Sequence, residues 1–125
     1  TRDERLIGLF QKLSGYTHYI LANGYSPKLI EALAVLGIPP ETFKEIVTSE
    51  IVGVNKPHEA GYRYIMQKTG LPPEAHMMIG DREIVDLVPA KEVGMKTCYV
   101  WSPKPSMVAD ATVPMIYDVA SLLTR

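Results

Sequence analysis

Short segments of β-favouring apolar residues alternate along this chain with segments that carry apolar residues at helical spacing. The predicted strands are residues 17–22, 43–47, 76–79, 96–101 and 111–113. The predicted helices are residues 2–13, 27–36, 58–69, 83–93 and 117–123. Strands and helices that alternate in this way are typical of a parallel sheet with helices on both faces. We therefore predict an α/β fold.

Composition and charge narrow the class of protein. The 125 residues are 46% hydrophobic and 22% charged, which is typical of one globular domain, and we treat residues 1–125 as a single domain. The formal net charge of -1 disfavours nucleic acid or an anionic membrane as the main partner. One cysteine, Cys98, cannot form an internal disulfide. No apolar run approaches the roughly 18 residues that cross a bilayer, and the first residues do not resemble a secretory signal, so we expect a cytoplasmic protein.

Polar residues follow three of the predicted strands at the point where each strand ends. Asn23 and Gly24 follow the first strand, Lys56 lies in a loop after the second, and Gly80-Asp81 follows the third. Asp86 lies a short distance further along the chain. Because ligands bind at the carboxyl ends of the strands of an open parallel sheet, these residues are the candidates for a binding site.

Each candidate also has a purely structural interpretation. Asn-Gly is a common turn dipeptide, and Lys56 could be a solvated loop lysine. Asp81 could cap the helix that follows it, and Asp86 could be an exposed helix residue. Other chemically interesting side chains are expected to serve packing: His18, His76, Tyr62, Tyr64 and Cys98. The chain contains no Gly-x-Gly-x-x-Gly or Walker-type loop, which argues against a dinucleotide or nucleoside triphosphate site.

Taken together and in this order, the motifs resemble those of the haloacid dehalogenase-like (HAD) hydrolases. The residues that carry the resemblance are Ile20-Leu21-Ala22-Asn23-Gly24, Lys56-Pro57, Met78-Ile79-Gly80-Asp81-Arg82-Glu83-Ile84-Val85-Asp86 and Gly94-Met95-Lys96-Thr97. They stand where the family has its second, third and fourth motifs. The resemblance implies a Rossmann-like core and a Mg²⁺-dependent hydrolase that acts on small phosphorylated metabolites through an aspartyl-phosphate.

The resemblance also implies a role for each candidate residue. Lys56 would neutralise the phosphate and the nucleophile, and Asn23 and Gly24 would contact the phosphate. Asp81 would hold Mg²⁺, while Asp86 would steady Lys56 or the waters of the metal. These roles suit phosphoryl transfer, which depends mainly on positioning and charge neutralisation.

The sequence departs from the family pattern at two places. The first motif, an Asp-x-Asp whose first aspartate is the nucleophile, has no counterpart in the sequence, because Asp3 lies in an amphipathic helix rather than after a strand. Ala22 stands where the family usually has Thr or Ser, so the hydroxyl that would bind phosphate is missing. We expect this chain to be the C-terminal part of a longer protein. The first-motif strand would lie between the strands that end at Ala22 and Ile79, and the gap would be filled by a missing segment or by self-association.

Three functions remain open from the sequence. The first is the core of a Mg²⁺-dependent phosphomonoester hydrolase whose nucleophile lies outside this chain. The second is a catalytically degenerate HAD-fold module for binding or assembly, favoured by Ala22 and the absent nucleophile. The third is a receiver-like domain phosphorylated on Asp81, which is disfavoured because Lys56 precedes Asp81 in the sequence.

Overall fold

The computed structural model describes residues 1–24, 26–102 and 104–123, with only the backbone of Ser26 included. Six α-helices are described: α1 (Glu4–Lys12), α2 (Ser26–Leu36), α3 (Ser49–Val52), α4 (Ala60–Thr69), α5 (Val88–Glu92) and α6 (Val119–Leu123). Five strands alternate with them: β1 (Tyr19–Ala22), β2 (Glu45–Thr48), β3 (Met77–Gly80), β4 (Lys96–Tyr99) and β5 (Ala111–Thr112). The predicted alternation of strands and helices is confirmed.

The described strands form two parallel sheets. In the first, β1 pairs with β2, with Tyr19 opposite Glu45 and Ala22 opposite Thr48. In the second, the strand order is β3-β4-β5, with Met77 opposite Lys96. Among the described residues, β1 and β3 do not pair with each other. The fold is therefore α/β with parallel strands, as predicted, and its sheet is divided between β1 and β3.

Helices cover both faces of the second sheet, as alternate residues of β3 demonstrate. Met77 and Ile79 pack against a buried cluster formed with α1 and α6, whose members are Leu9, Leu13, Cys98, Val100, Val113, Val119 and Ala120. Met78 packs against a different cluster formed with α4 and α5, whose members are Tyr62, Ala90, Val93 and Met95. Because successive side chains of a strand point to opposite faces, the two clusters lie on opposite sides of the sheet.

The second cluster, centred on Tyr62, also joins the two sheets. Leu21 of β1 and Met78 of β3 both pack against it. Gly61 of α4 permits this approach, since a methyl group at position 61 would lie 2.5 Å from Leu21 Cδ1. Helix α4 therefore lies beneath the gap between the sheets and contacts both of them.

A cleft of about 530 Å³ separates β1 from β3. Its walls include Tyr19 and Leu21 from β1 and Met77, Met78 and Ile79 from β3. The cleft lies at the place where the sequence predicts a missing central strand.

The predicted helix over residues 83–93 begins differently from expectation. A single π-helical turn, Glu83–Leu87, precedes α5. The N–H of Val88 donates to the carbonyl of Glu83 and closes this wider turn. Pro89 lies within the first two residues of α5 and has no N–H to continue a regular helical ladder, which explains the irregular start.

Other element boundaries differ by a few residues from the sequence-based prediction. Strand β4 ends at Tyr99 rather than Trp101, because Trp101 has a φ of 62°, outside the extended region. The predicted loop over residues 52–57 is preceded by the short helix α3, which Gly53 ends in the left-handed conformation. Within the described residues, no helix is long and apolar enough to cross a membrane.

Candidate functional site

The predicted site residues lie at the carboxyl ends of the strands. Asn23 and Gly24 follow β1, Lys56 follows β2 and α3, and Asp81 follows β3. Lys56 reaches Asp86, and Asp86 in turn packs against Gly80, the residue before Asp81. The structure thus brings the predicted residues to one end of the fold.

A largely buried ion pair forms the centre of this site. The Lys56 Nζ lies 2.7 Å from Asp86 Oδ1 and also donates to the carbonyl of Leu21 at 3.1 Å. Only 12% of the Lys56 side chain and 7% of the Asp86 side chain are exposed. An ammonium group has three N–H donors, of which two bind acceptors among the described residues and the third has no acceptor there. The expectation of a solvated loop lysine is therefore incorrect as a description of this side chain.

Asn23 binds the backbone of Lys56 with both ends of its side-chain amide. The Lys56 N–H donates to Asn23 Oδ1 at 2.7 Å, and Asn23 Nδ2 donates to the Lys56 carbonyl at 3.2 Å. Asn23 thereby fixes the loop from which the Lys56 side chain extends. The phosphate contact predicted for Asn23 stays a prediction.

Gly24 continues the turn after β1 with a φ of 124°. This backbone conformation favours glycine, because a Cβ would be strained there. The Gly24 N–H donates to the Ser49 hydroxyl at 3.3 Å, which ties the turn after β1 to the start of α3. The phosphate contact predicted for Gly24 likewise stays a prediction.

The two acidic residues have different surroundings. Asp81 is exposed, and its carboxylate makes no hydrogen bond or ion pair with any residue that the structure describes. The turn that follows begins at Arg82 without a side-chain cap, so Asp81 does not cap it. Asp86 is 5% exposed as a whole residue, which excludes the alternative of an exposed helix residue.

The fit of these carboxylates to Mg²⁺ can be judged from their partners. Mg²⁺ is commonly held by one or two carboxylates together with waters and substrate oxygens. Asp81 fits as one such ligand because its carboxylate binds none of the described residues, whereas Asp86 binds Lys56 through Oδ1. In the described part of the chain, no group of three or more His, Cys, Asp or Glu side chains could hold a metal ion. The metal-ligand roles of Asp81 and Asp86 stay predictions.

Gly80 leaves the space that Asp86 occupies. A methyl group at position 80 would lie 2.7 Å from both Cβ and Oδ2 of Asp86. The close approach of Asp86 to the end of β3 therefore requires glycine at this position.

Tyr62 is a member of the site that sequence reasoning assigned to packing alone. Its side chain is fully buried, and its hydroxyl donates to the Asp86 carbonyl at 2.7 Å, with the Val85 carbonyl at 3.3 Å. Burial, and to a smaller extent the charge of Asp86, raises the pKa of Tyr62 well above its ordinary value. The hydroxyl therefore stays protonated and acts as a donor.

An open cavity of about 460 Å³ lies beside the turn after β1. Its walls are Ala22, Asn23, Gly24, Lys28, Leu29 and Thr48. Ala22 brings a methyl group rather than a hydroxyl to this wall, as the sequence indicated. The Lys28 ammonium makes no hydrogen bond or ion pair within the described residues, so it is available to an anion in the cavity.

The histidines and the cysteine outside the site have structural surroundings, as predicted. His18 Nε2 pairs with the Leu13 carbonyl at 3.0 Å, and His76 Nε2 with the Thr69 hydroxyl at 2.6 Å. Cys98 is fully buried, and burial raises the pKa of its thiol. These side chains are not candidates for catalysis.

A family model for haloacid dehalogenase-like hydrolases matches residues 4–100. The chain belongs to the haloacid dehalogenase-like hydrolase family. All the candidate site residues of this HAD chain lie within the matched range. The family resemblance of the motifs is therefore confirmed.

Two relatives of this HAD chain illustrate the enzymes it is similar to. The glyceraldehyde 3-phosphate phosphatase of Methanocaldococcus jannaschii is 37% identical over 93 residues, which cover 74% of this chain and 40% of the relative. The pyrimidine 5'-nucleotidase of Escherichia coli is 28% identical over 111 residues, which cover 85% of this chain and 49% of the relative. The HAD chain thus spans less than half the length of these two relatives.

Solved structures share the HAD fold at lower identity. A HAD-hydrolase from Bacillus subtilis, bound to magnesium, superposes with a TM-score of 0.83 at 23% identity over 98% of this chain and 55% of its own. The L-2-haloacid dehalogenase of Xanthobacter autotrophicus superposes with a TM-score of 0.82 at 18% identity over 97% of this chain and 60% of its own. Because one fold serves different reactions, the function of this HAD chain has to be argued from its site.

Proposed function

We propose that this chain forms the phosphate-binding core of a Mg²⁺-dependent phosphomonoester hydrolase. The observation that carries the proposal is the largely buried Lys56 ammonium, which binds Asp86 and the Leu21 carbonyl and has a third N–H with no acceptor in the described part of the chain. A positive charge in a largely water-excluded position interacts strongly with a phosphoryl group. The phosphatase and nucleotidase relatives support phosphate esters as the substrate class.

The other site residues would act around Lys56. Asn23 holds the Lys56 backbone and retains a second Nδ2 hydrogen that can point to a phosphate oxygen. Lys28 adds a second positive charge at the wall of the neighbouring cavity. Asp81 would hold Mg²⁺, which when bound polarises the phosphoryl oxygens and offsets their charge. The substrate would be a small phosphorylated metabolite, and the protein would act in the cytoplasm.

The nucleophile would come from outside this chain. Asp81 is assigned to the metal and Asp86 is bound to Lys56, so neither is available to attack phosphorus. A strand that filled the cleft between β1 and β3 would end beside Lys56 and could bring an aspartate there. We propose that such a strand belongs to a further segment of the same polypeptide, and that the reaction passes through an aspartyl-phosphate.

A binding or assembly module is the second candidate function. It is favoured by Ala22, which removes a hydroxyl donor from the cavity wall. This module would bind a phosphorylated ligand through Lys56 without hydrolysing it.

Phosphate release from p-nitrophenyl phosphate tests the proposal. The complete polypeptide that carries this chain should release phosphate with Mg²⁺ and lose most of this activity with EDTA, with Lys56→Met or with Asp81→Asn. Lys12→Met, an exposed lysine at the end of α1, is the matched control and should keep full activity. The 125-residue chain alone should be inactive, because it carries no nucleophile.

Two results would contradict parts of this proposal. Turnover by the 125-residue chain alone would contradict the assignment of the nucleophile. An inactive complete polypeptide that still binds inorganic phosphate through Lys56 would favour the binding module.

A further inference from the structure

A buried hydroxyl group lies directly behind the carboxylate that binds Lys56. Tyr62 of α4 is fully buried, and its hydroxyl donates to the backbone carbonyl of Asp86 at 2.7 Å. The Val85 carbonyl, at 3.3 Å, is a second and weaker acceptor. This tyrosine therefore contacts the backbone of the residue whose side chain carries the ion pair.

The turn that Tyr62 contacts cannot form one of the hydrogen bonds of a regular α-helix. In a regular α-helix, the N–H of residue 89 would donate to the carbonyl of Val85. Residue 89 is a proline and has no N–H, so this regular α-helical bond cannot form. The Tyr62 hydroxyl supplies a donor from outside the turn, chiefly to the Asp86 carbonyl, and so stabilises the turn in this form.

The position of the Asp86 carboxylate follows from the position of this turn. The Asp86 N–H donates to the Arg82 carbonyl at 2.8 Å, and the Asp86 side chain fills the space left by Gly80. Asp86 is therefore held at its N–H by Arg82, at its carbonyl by Tyr62 and at its side chain by packing against Gly80. Its carboxylate then lies 2.7 Å from Lys56 Nζ.

We propose that Tyr62 is a positioning residue for catalysis, which acts through Asp86 on Lys56. This inference rests on the proposed function, because it assigns to Tyr62 the alignment of the lysine that binds phosphate. Tyr62 does not touch the phosphate itself. It keeps the π-helical turn in the one arrangement that points Asp86 at Lys56.

Two tyrosines on α4 provide a matched pair of variants. Tyr62→Phe removes the hydroxyl behind Asp86 and keeps the aromatic ring in the core. Tyr64→Phe removes a hydroxyl from the same helix whose partner is the Glu45 carboxylate at 2.5 Å, away from Asp86. Both variants are prepared in the complete polypeptide and compared with the parent protein.

The first measurement is hydrogen exchange at the backbone amides of Asp86 and Val88, which close the turn. We expect exchange to accelerate about tenfold in Tyr62→Phe and to stay unchanged in Tyr64→Phe. The second measurement is steady-state hydrolysis of p-nitrophenyl phosphate. We expect kcat to fall about tenfold or more in Tyr62→Phe, with KM changed by less than about threefold, because misalignment affects the transition state more than the ground state.

Two further variants separate positioning from general stability. Replacing Tyr62 with p-aminophenylalanine restores a donor on a ring of similar size and should recover most of kcat. In an Asp86→Asn background, Tyr62→Phe should cause little additional loss of kcat, because its effect passes through Asp86. Additive losses would assign Tyr62 a structural role only and overturn the inference.

The outcomes also distinguish this inference from the proposed function. Unchanged exchange at Asp86 and Val88 in Tyr62→Phe overturns the inference whether or not the protein is a phosphatase. A parent protein without phosphatase activity refutes the proposed function, and exchange then decides whether Tyr62 holds the turn. A normal kcat in Tyr62→Phe overturns the positioning role while leaving the phosphatase assignment intact.

Discussion

Asn23 holds Lys56 by its backbone and not by its ammonium group. The side-chain amide of Asn23 pairs with both the N–H and the carbonyl of Lys56, at 2.7 and 3.2 Å. The loop that carries Lys56 is therefore attached to the end of β1. The Lys56 ammonium remains available for Asp86 and for a ligand.

Removing this attachment should lower both stability and activity. Asn23→Ala deletes two hydrogen bonds, and we expect the free energy of unfolding to fall by about 1–2 kcal/mol. Asn23→Asp keeps the acceptor for the Lys56 N–H but places an oxygen opposite the Lys56 carbonyl, so it should not restore the parent stability. Urea unfolding of the three proteins measures these differences. Equal stability of Asn23→Ala and the parent would contradict the attachment.

The ion pair between Lys56 and Asp86 should be costly to break on one side only. Because both side chains are nearly buried, Lys56→Met or Asp86→Leu alone leaves a buried charge without its partner and should destabilise the fold by about 3–5 kcal/mol. The double variant Lys56→Met/Asp86→Leu removes both charges and should regain most of this loss. Urea unfolding of the parent, the two single variants and the double variant gives the coupling free energy between Lys56 and Asp86. Single variants with losses under about 0.5 kcal/mol would indicate an exposed pair instead.

Two glycine-to-alanine changes should have opposite effects on stability. A methyl group at Gly80 would lie 2.7 Å from Asp86, so Gly80→Ala should displace Asp86 and destabilise the protein. At Gly8, in the middle of α1, a methyl group meets no atom within 4 Å, so Gly8→Ala should stabilise by about 0.5–1 kcal/mol through helix propensity. Thermal melting compares the two variants. A stable Gly80→Ala protein with an intact Lys56–Asp86 pair would contradict the close packing described here.

The open edges of β1 and β3 should make the 125-residue chain self-associate. Unpaired strand edges attract further strands, and we expect the sedimentation coefficient to rise with protein concentration. Leu71→Glu places a charge on the exposed wall of the cleft and should reduce the association. Val35→Glu changes an equally exposed residue of α2 outside that wall and should not. A sedimentation coefficient that stays at the monomer value at all concentrations would show that the cleft does not drive association.

Asp110 should make stability depend on pH in the acid range. Burial opposes ionisation of its carboxyl, but hydrogen bonds from the Thr97 N–H and hydroxyl, with help from Lys91, hold the pKa of Asp110 below its usual value of 3.8. A lowered pKa in the folded state means that the ionised carboxylate stabilises the fold above the unfolded pKa. This stabilisation is lost as the pH falls below 3.8 and through the folded-state pKa.

The variant Asp110→Asn tests this dependence. At pH 7 it should melt at a lower temperature than the parent, and the difference should shrink as the pH falls below 3.8. Glu92→Gln removes an exposed carboxylate with no described partner and serves as the control. A difference in melting temperature that persists undiminished in acid would assign the effect of Asp110→Asn to packing rather than to charge.

Part of the site could be predicted from sequence because it depends on strand ends. Asn23 and Asp81 follow directly on apolar runs, and parallel strands bring their carboxyl ends to one edge. Lys56 could be assigned to this edge too, because it lies in the loop that follows the second strand. The family resemblance implied that Asp86 steadies either Lys56 or the waters of the metal, and the structure places the Asp86 and Lys56 side chains in contact.

The role of Tyr62 could not be predicted because it depends on contacts that are distant in sequence. Its place in a predicted helix led to an interpretation as a packing residue, which is correct for the ring. Its hydroxyl donates to the carbonyls of Val85 and Asp86, which lie more than twenty positions away in the sequence. The one local signal was Pro89, which removes a backbone donor inside a predicted helix.

The division of the sheet between β1 and β3 has a consequence for how the chain opens. The β1–β2 half and the β3–β4–β5 half are connected by the Tyr62 cluster and by the Lys56–Asp86 pair. Helix α1 also contacts both halves, because its Leu9 packs with the second sheet while its Phe10 contacts residues that flank β1 and β2. Such halves are natural units of local unfolding, and each can open without the other. Filling the cleft would merge the two units into one cooperative unit, so that ordering of the edge that carries Lys56 and global protection from unfolding would rise together.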